Sequence, residues 1–429
     1  MYELITKALK ERKNNPVKVA IVGSGWFGGG LARELYRIDG TSPVVLMDKL
    51  PERCVNTYLE MGIKKGDIAV VKNPAELKRA EKEAKYIVFS QVDLLNELKD
   101  IDIIFEATGD VPVGVKAALA SIEKKIPFVS ANFEMDAVVG LRLANLAKEK
   151  GSLYCNADGD QPSCLSRMIN EISLWGFEPK IAGNCKAFMD LHQNPTGVKP
   201  YVPSHQDNHM VCGMADGTKQ SIEMAVLGNA FGYYTLKRGM YGPTTTKLDL
   251  IKTFDDLVGL KSLKGTYVDF VFGIKGIDQG AGVFIIAHRE GQHVADDMKF
   301  LKKGDGPFYL FFRDHHLCYF EAISSIAETA LFGISTFFPK GRFVDVITVA
   351  KRDIEPGKKL DGIGGYDCYG LAERAAVASR EDILPIGLAG FATATKKIAK
   401  DSPVTYGSVE LEDNQIVRLR KEQDQLPVC

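Results

Sequence analysis

Residues 18–49 read KVAIVGSGWFGGGLARELYRIDGTSPVVLMDK. The opening run, 18–22, is short, apolar and β-branched, the pattern of a buried strand. Gly23, Gly25 and Gly28 follow at G-x-G-x-x-G spacing, residues 29–36 carry Leu31 and Leu35 at helical spacing, and a second strand over 44–47 ends at Asp48. Each glycine has a physical task. Gly23 permits a tight turn, Gly25 lets the backbone approach a pyrophosphate, and Gly28 lets the helix pack closely on the strand. The helix start offers unpaired N–H groups and a positive dipole end to phosphate. Asp48, twenty residues beyond Gly28, stands where an acid accepts hydrogen bonds from ribose hydroxyls. A glycine-rich turn alone says little, but strand, turn, helix, strand and acid in this order predict a dinucleotide-binding unit.

The remaining composition is that of an ordinary folded chain. At 429 residues there is room for two or three domains, and 45% hydrophobic with 25% charged residues can bury a sizeable core. A net charge of −1 gives no electrostatic case for nucleic acid or an anionic membrane. No apolar run is long enough to span a bilayer, and residues 1–15 form an amphipathic, charged helix pattern without a signal-peptide core. The eight cysteines are scattered with no C-x-x-C pair. Free thiols in a reducing cytoplasm are therefore expected, not disulfides or a zinc site.

In chain order, a helix leads to Pro16, and two surface helices follow over 50–85, the second capped by Asn73 with Pro74 at its first position. The run IDIIFEATGD (101–110) is a buried strand ending in Glu106-Ala107-Thr108-Gly109. In a doubly wound sheet, ligands sit beyond the carboxyl ends of strands, so this loop lies on the nicotinamide side. Strand–helix alternation continues through PFVSAN (127–132) to residue 157, which predicts an open, mostly parallel sheet. The polar Asp158-Gly-Asp160-Gln161-Pro162 turn then marks the point where the chain leaves the nucleotide domain.

From Ile181 the pattern changes. IAGNCKAFMD reads as a strand that sets Lys186 on a mostly apolar element. Residues 190–215, with several prolines and three histidines, read as a long loop of the kind that forms lids. His205 and His209 stand four apart, a spacing that suits a metal only with further ligands. Next, a loop ending in Lys219 enters an apolar helix bearing Ser221, Glu223 and Asn229, a setting for an anionic substrate. YVDFVFGI and GAGVFIIAHRE read as antiparallel strands joined by a glycine turn. A later strand-to-helix change carries Arg313, His315, His316 and Glu321. Short strands with Pro-Gly turns from about 342 indicate a separate small β module, and the last twelve residues read as a loose tail.

KVAIVGSGWFGGG, IDIIFEATGD and PFVSAN, together with VAKRDIEPGKKLDGIGGYDCYG and LPIGLAGFATATKKIAKDSPV, resemble the homoserine-dehydrogenase-like NAD(P)-binding oxidoreductases that carry a C-terminal SAF domain. ADGDQP, GNCK, DGTKQSIE, GNAFG and HHLCYFE resemble one branch, the 1-deoxy-D-xylulose-5-phosphate reductoisomerase-like enzymes. These make the isoprenoid precursor 2-C-methylerythritol 4-phosphate with NADPH. The resemblance implies an α/β chain with three parts: a Rossmann-type parallel sheet (1–157), an α+β substrate and oligomerisation domain (158–341), and a SAF-like β-clip with its tail (342–429). It implies catalytic roles for Lys186, Lys219, Glu223 and His316. Substrate contacts are expected from Asp158, Asp160, Ser221, Asn229 and Arg313.

Cofactor contacts are expected from Gly23, Gly25, Trp26, Phe27, Gly28, Asp48, Arg53, Ala107, Thr108, Gly109 and Asn132. The expected cofactor is NADP, with NAD the alternative, since Asp48 repels a 2′-phosphate while Lys49 and Arg53 offset that repulsion. A divalent ion such as Mg²⁺ would suit a reductoisomerase, because a hydroxyketone chelates it. The partners expected are a small-molecule substrate and further copies of the chain in a homodimer or larger homo-oligomer. A simple polyol, sugar-acid or homoserine-like dehydrogenase, and a non-catalytic nucleotide sensor, are the alternative readings.

Overall fold

The computed structural model describes residues 1–83, 85–203, 206–274 and 282–429. Seven strands form the first sheet: β1 (Val17–Val22), β2 (Thr41–Met47), β3 (Ile68–Val70), β4 (Tyr86–Phe89), β5 (Ile103–Glu106), β6 (Phe128–Ser130) and β7 (Tyr154–Asn156). Their order is β3-β4-β2-β1-β5-β6-β7 and every pairing is parallel. The central strands are apolar on both faces, as parallel strands covered on both sides must be. Val19, Ala20, Ile21 and Val22 of β1 are fully buried. The chain builds outward from β1 on one side, then returns to add β5 on the other, and the carboxyl ends diverge at that reversal. The helices Pro51–Glu60 and Pro74–Lys82 form as expected, with the Asn73 side chain accepting the Glu76 N–H. The edge strand β3 between them was not anticipated, because its apolar run, Ile68-Ala69-Val70, is only three residues long.

The chain divides into two compact units, one of residues 1–160 and 317–338, the other of 161–316 and 339–429. In the first, the late helix Tyr319–Phe332 adds Ala322, Ile326 and Ala327 to the core beneath β1 and β5.

The second unit holds a mixed sheet of β8 (Glu178–Lys186), β9 (Tyr234–Thr235), β10 (Tyr267–Phe272), β11 (Val283–His288) and β12 (Phe308–Arg313), in the order β12-β11-β8-β10-β9. Here one expectation fails. The two β-like runs are not a hairpin, because β8 lies between them, parallel to β10 and antiparallel to β11. Residues 275–281, where the glycine turn was expected, lie outside the described residues. The reason is that β8 is buried on both faces from Ile181 to Cys185, which demands a central position. Gly183 makes that position possible, since a Cβ there would stand 2.3 Å from the Asp269 carbonyl and 2.8 Å from the Phe284 ring.

Residues 190–215 are not one loop. They contain the helices Pro195–Val198 and Asn208–Ala215, each started by an Asn194 or Asp207 side chain that accepts first-turn N–H groups. His209 is exposed on the second and His205 lies outside the described residues. Among the described residues no group of three His, Cys, Asp or Glu side chains could hold a metal, and no helix is long and apolar enough to cross a membrane. None of the eight cysteines is held in a disulfide.

Beyond residue 342 the expected β-rich segment forms as two antiparallel pairs, β13 (Val344–Ala350) with β14 (Cys368–Arg374) and β15 (Ala392–Ala394) with β16 (Val409–Leu411). The end of the chain is not a loose tail. It forms the helix Gln415–Asp424, whose Arg420 is 2% exposed. The Arg420 guanidinium meets Asp345 at 2.9 Å and Asp424 at 3.0 Å, and Arg342 meets the same two carboxylates. The charge-rich sequence RLRKEQDQ hides this, because Asp345, 75 residues before Arg420, cannot be read locally. Removing one partner leaves buried charge uncompensated, so Arg420→Met should destabilise the second unit by about 3–5 kcal/mol. Denaturant unfolding measures this, and a midpoint shift of less than about 1 kcal/mol would mean that the network is solvated.

Candidate active site

In the first unit the three glycines divide their tasks as the spacing predicts. Gly23 has φ +96°, and a Cβ there would lie 3.0 Å from the Ala107 carbonyl. A Cβ on Gly28 would overlap the Gly23 carbonyl oxygen at 1.9 Å, so the helix Trp26–Arg37 touches the turn backbone directly. Gly25 differs: a Cβ there meets nothing within 4 Å, and its φ of −76° suits any residue. Its lack of a side chain therefore leaves a space at the helix start and relieves no strain. No side chain caps this helix, so its first N–H groups keep the capacity to bind an anion. Asp48, almost fully buried, accepts hydrogen bonds from Ser24 N–H at 2.8 Å and Leu50 N–H at 2.9 Å, which fixes its carboxylate beside the glycine turn. These features fit the pyrophosphate and ribose of a dinucleotide.

The other expected cofactor residues separate into two groups. Trp26 is 45% exposed at the helix start, edge-on to Tyr319 at 5.5 Å. Ala107, Thr108 and Gly109 follow β5 at its carboxyl end, and Arg53 is exposed on the helix after Asp48. Phe27 and Asn132 are structural. Phe27, partly buried, stacks on Phe105 with centroids 6.0 Å apart and packs against the core. Asn132 is fully buried, donates to the Asp110 carbonyl and accepts from Met135 N–H as a helix cap. The sequence placed both near the nucleotide without showing that their polar or aromatic groups are already used.

Glu106, which the sequence reading named as a strand end and gave no role, organises this end of the sheet. Glu106, fully buried, accepts the Thr108 N–H at 2.7 Å, the Thr108 hydroxyl, and the Ser130 hydroxyl at 3.2 Å. Burial pushes its carboxyl up to about 7, against the opposing effect of those hydrogen bonds. Asp136, also buried, is pushed up to about 7 for the same reason, with Tyr154 donating to it at 3.0 Å.

In the second unit, four side chains converge. Lys186 ends β8 with its ammonium 3.1 Å from Glu223 Oε2 and 2.9 Å from Gln161 Oε1. Asn184, two residues earlier on the same face of β8, donates to the same two oxygens at 2.9 and 2.7 Å. Glu223 is 3% exposed in the middle of the helix Thr218–Phe231, which is buried nearly all round by the helix Gln161–Leu174 and by β10, β13 and β14. Lys186 keeps 20% of its side chain accessible, so one end of the cluster is open. The sequence pointed to Lys186 and Glu223. It passed over Gln161 and Asn184, although a lone asparagine within the apolar run IAGNCKAF was a usable signal.

Lys219 lies half-buried on the same helix, four residues before Glu223 and hence on the same side. The helix entrance beside it is not an open anion site. Asp216 accepts the Thr218 N–H at 2.9 Å and pairs with the buried Lys351 at 2.7 Å, so the chain's own carboxylate occupies the positive end. Two expected substrate residues are also spent on structure. Ser221 donates its hydroxyl to the Gly370 carbonyl at 3.1 Å. Asn229 donates to the Val344 carbonyl and accepts from Phe343 and Val344 N–H, which fixes the start of β13. Arg313 ends β12 and His316 lies half-buried in the loop after it. Asp158 and Asp160 stand in the first unit, where the Asp158 N–H donates to Ser325.

Gly25→Val should abolish dinucleotide binding in calorimetry while leaving the melting curve unchanged, because its Cβ fills ligand space and meets no protein atom. Unchanged affinity would place the nucleotide elsewhere. The carboxyl of Glu106 also has a pH signature. Its folded value lies above its ordinary 4.5, so its contribution to stability is full below about 4.5 and is lost as pH rises through about 7. Asp136 has the same sign. Glu106→Gln should therefore lessen the fall in Tm between pH 5 and pH 8, and identical Tm profiles would show that Glu106 ionises without cost.

Residues 159–322 match the family model described as oxidoreductase DRL, catalytic domain, and this segment contains Gln161, Asn184, Lys186, Lys219 and Glu223. No curated protein matches the chain. Among solved structures, a probable dehydrogenase from Thermotoga maritima is 10% identical, covering 74% of this chain and 90% of its own, with a TM-score of 0.43. The 1-deoxy-D-xylulose 5-phosphate reductoisomerase from Zymomonas mobilis, in complex with NADPH, is 14% identical over 73% and 81%, with a TM-score of 0.39. A myo-inositol dehydrogenase from Corynebacterium glutamicum is 10% identical over 74% and 89%, at 0.42. At such identities and TM-scores these likenesses assign no activity to this chain; what the family comparison contributes is a match between its middle segment and an oxidoreductase catalytic domain.

Proposed function

We propose that the chain is an NAD(P)-dependent oxidoreductase acting on a small hydroxylated carbonyl compound, with Lys186 as the group that exchanges a proton with the substrate oxygen. The observation that carries this reading is the Lys186–Gln161–Glu223 cluster, an ammonium held on two sides at 2.9 and 3.1 Å with its remaining side partly accessible. It lies within the segment similar to an oxidoreductase catalytic domain. A bound nicotinamide would give or take the hydride. Lys186 then donates a proton to the oxygen of a carbonyl being reduced, or takes it from an alcohol being oxidised. Glu223 compensates the charge of the ammonium, and Gln161 and Asn184 fix the orientation of that carboxylate and of the lysine. Preorganisation of this kind is what lets a single side chain act on a developing alkoxide.

The narrower form of the proposal is a reductoisomerase that makes 2-C-methyl-D-erythritol 4-phosphate from 1-deoxy-D-xylulose 5-phosphate. Lys219, on the Glu223 side of its helix, supports a phosphorylated substrate through its charge. The helix entrance does not add to this, since Asp216 occupies it. NADP is the proposed cofactor, with Lys49 and Arg53 offsetting Asp48; Mg²⁺ belongs to the reductoisomerase form alone. A polyol, sugar-acid or homoserine-like dehydrogenase would use the same lysine without a phosphate contact.

Loss of nicotinamide absorbance across phosphorylated and free hydroxyketones, with NADPH and NADH, identifies the substrate class. Tight nucleotide binding with no turnover across that panel and the corresponding alcohols would favour a sensor. On the substrate that turns over, Lys186→Ala should lower kcat by roughly 10²–10⁴-fold with little change in KM. Lys219→Ala should mainly raise KM for a phosphorylated substrate and leave a free one unaffected. Wild-type kcat in Lys186→Ala would overturn the assignment.

A further inference from the structure

The second unit contains a cleft of about 240 Å³ that begins one strand away from the lysine cluster. β10 runs parallel to β8, with Phe270 opposite Asn184 and Phe272 opposite Lys186. Partners in a parallel pair point to the same face, and neighbouring strands lie about 4.8 Å apart. Phe270 and Phe272, which line the cleft, therefore stand beside the two cluster residues of β8. Val271, between them, belongs with Cys185 to the core on the opposite face. Two further walls also come from the chain around the cluster. Met189 follows Lys186 by three residues, and Ser221 precedes Glu223 by two on the helix Thr218–Phe231. Much of the polar lining is committed elsewhere. Ser221 donates to the Gly370 carbonyl at 3.1 Å, and Arg238 pairs with Glu373 at 2.7 Å and Glu381 at 2.5 Å. The amide atoms of Gln220 are inaccessible, and Tyr241 donates its N–H to Asp269 while its ring lies under the Lys237 ammonium at 4.7 Å. What the cleft offers a ligand is mainly the apolar surface of Met189, Phe270, Phe272 and Leu371.

We propose, resting on Lys186 as the proton-exchanging group, that this cleft takes an uncharged, apolar substituent on the carbonyl carbon of the substrate. The carbonyl oxygen meets Lys186, and the substituent runs past Phe272 into the cleft. The volume suits a short alkyl chain or a single ring, since an apolar cavity of about 150 Å³ already takes benzene. The thioether of Met189 adapts to the shape of either. An anionic substituent is disfavoured, because two carboxylates already neutralise Arg238.

Turnover of the 1-hydroxy-2-alkanones, from hydroxyacetone to 1-hydroxy-2-hexanone, by the full chain with NADPH and with NADH tests the proposal. Each methylene that enters the cleft should raise kcat/KM about fourfold. Met189→Trp, which narrows the cleft, should bring the values for the shortest and longest members within about threefold of each other. Toluene, measured on the wild type in case that variant fails to fold, should compete with 1-hydroxy-2-hexanone and not with hydroxyacetone. Equal kcat/KM along the series, an undiminished ratio in folded Met189→Trp, or toluene that competes with neither substrate or equally with both would overturn the cleft assignment and leave Lys186 in its role. Turnover of phosphorylated hydroxyketones with none in this series would do the same. No turnover of either class would overturn both the cleft assignment and the role of Lys186.

Discussion

A carboxylate in the middle of a helix buried on nearly every side has to be paired, and much of the second unit is arranged around that requirement. Glu223 is 3% exposed. Its desolvation is offset by Lys186 and Asn184, which reach the same oxygen from β8 while Gln161 binds both donors in turn. This constrains more than two side chains. It requires β8 to run centrally beside the helix, with residues 184 and 186 on one face, and it requires Gln161 at the start of the neighbouring helix. Gly183 admits the close strand packing that β8 needs. An apolar replacement of the cluster would satisfy the fold as well, so the retention of an ammonium at its accessible end is a reason to look for chemistry there.

The same helix shows how a fold can separate roles by angle alone. Glu223 meets the lysine of β8, Ser221 and Thr218 bond the backbone of β14, and Asn229 holds the start of β13. Gln220, equally buried, has neither amide atom hydrogen-bonded. Polar residues on a buried helix are therefore not interchangeable candidates for substrate contact. Most are spent on joining the 339–429 segment to the rest of its unit, and only the geometry tells which are not.

In the first unit the controlling constraint is contact between backbones. The helix after the glycine turn approaches so closely that Gly28 has no room for a single added carbon, while Gly25 has room to spare. The first fact positions the helix axis toward the turn and the second leaves space in front of it. Asp48 is fixed from both sides by main-chain donors. Glu106 performs the matching task at the end of β5, where it ties the following loop down through Thr108. Its burial makes that tie dependent on protonation.

Local order along the chain was enough for the parallel sheet, since β-branched runs, glycine spacing and helix caps act between residues close in sequence. It was also enough to single out Lys186 and Glu223, because a charge on an apolar element is conspicuous. What it could not supply was partnership across long separations. That β8 lies between β10 and β11, that Arg420 at the chain end is buried against Asp345, and that Asn132, Ser221 and Asn229 are already saturated all depend on contacts between distant residues. A hydrogen-bonding side chain looks the same in sequence whether its partner is a substrate or a strand. The sequence by itself determined which elements form and which residues are chemically able to act; the tertiary structure alone decided which of those residues have their hydrogen bonds spoken for, because that is settled by packing and not by pattern.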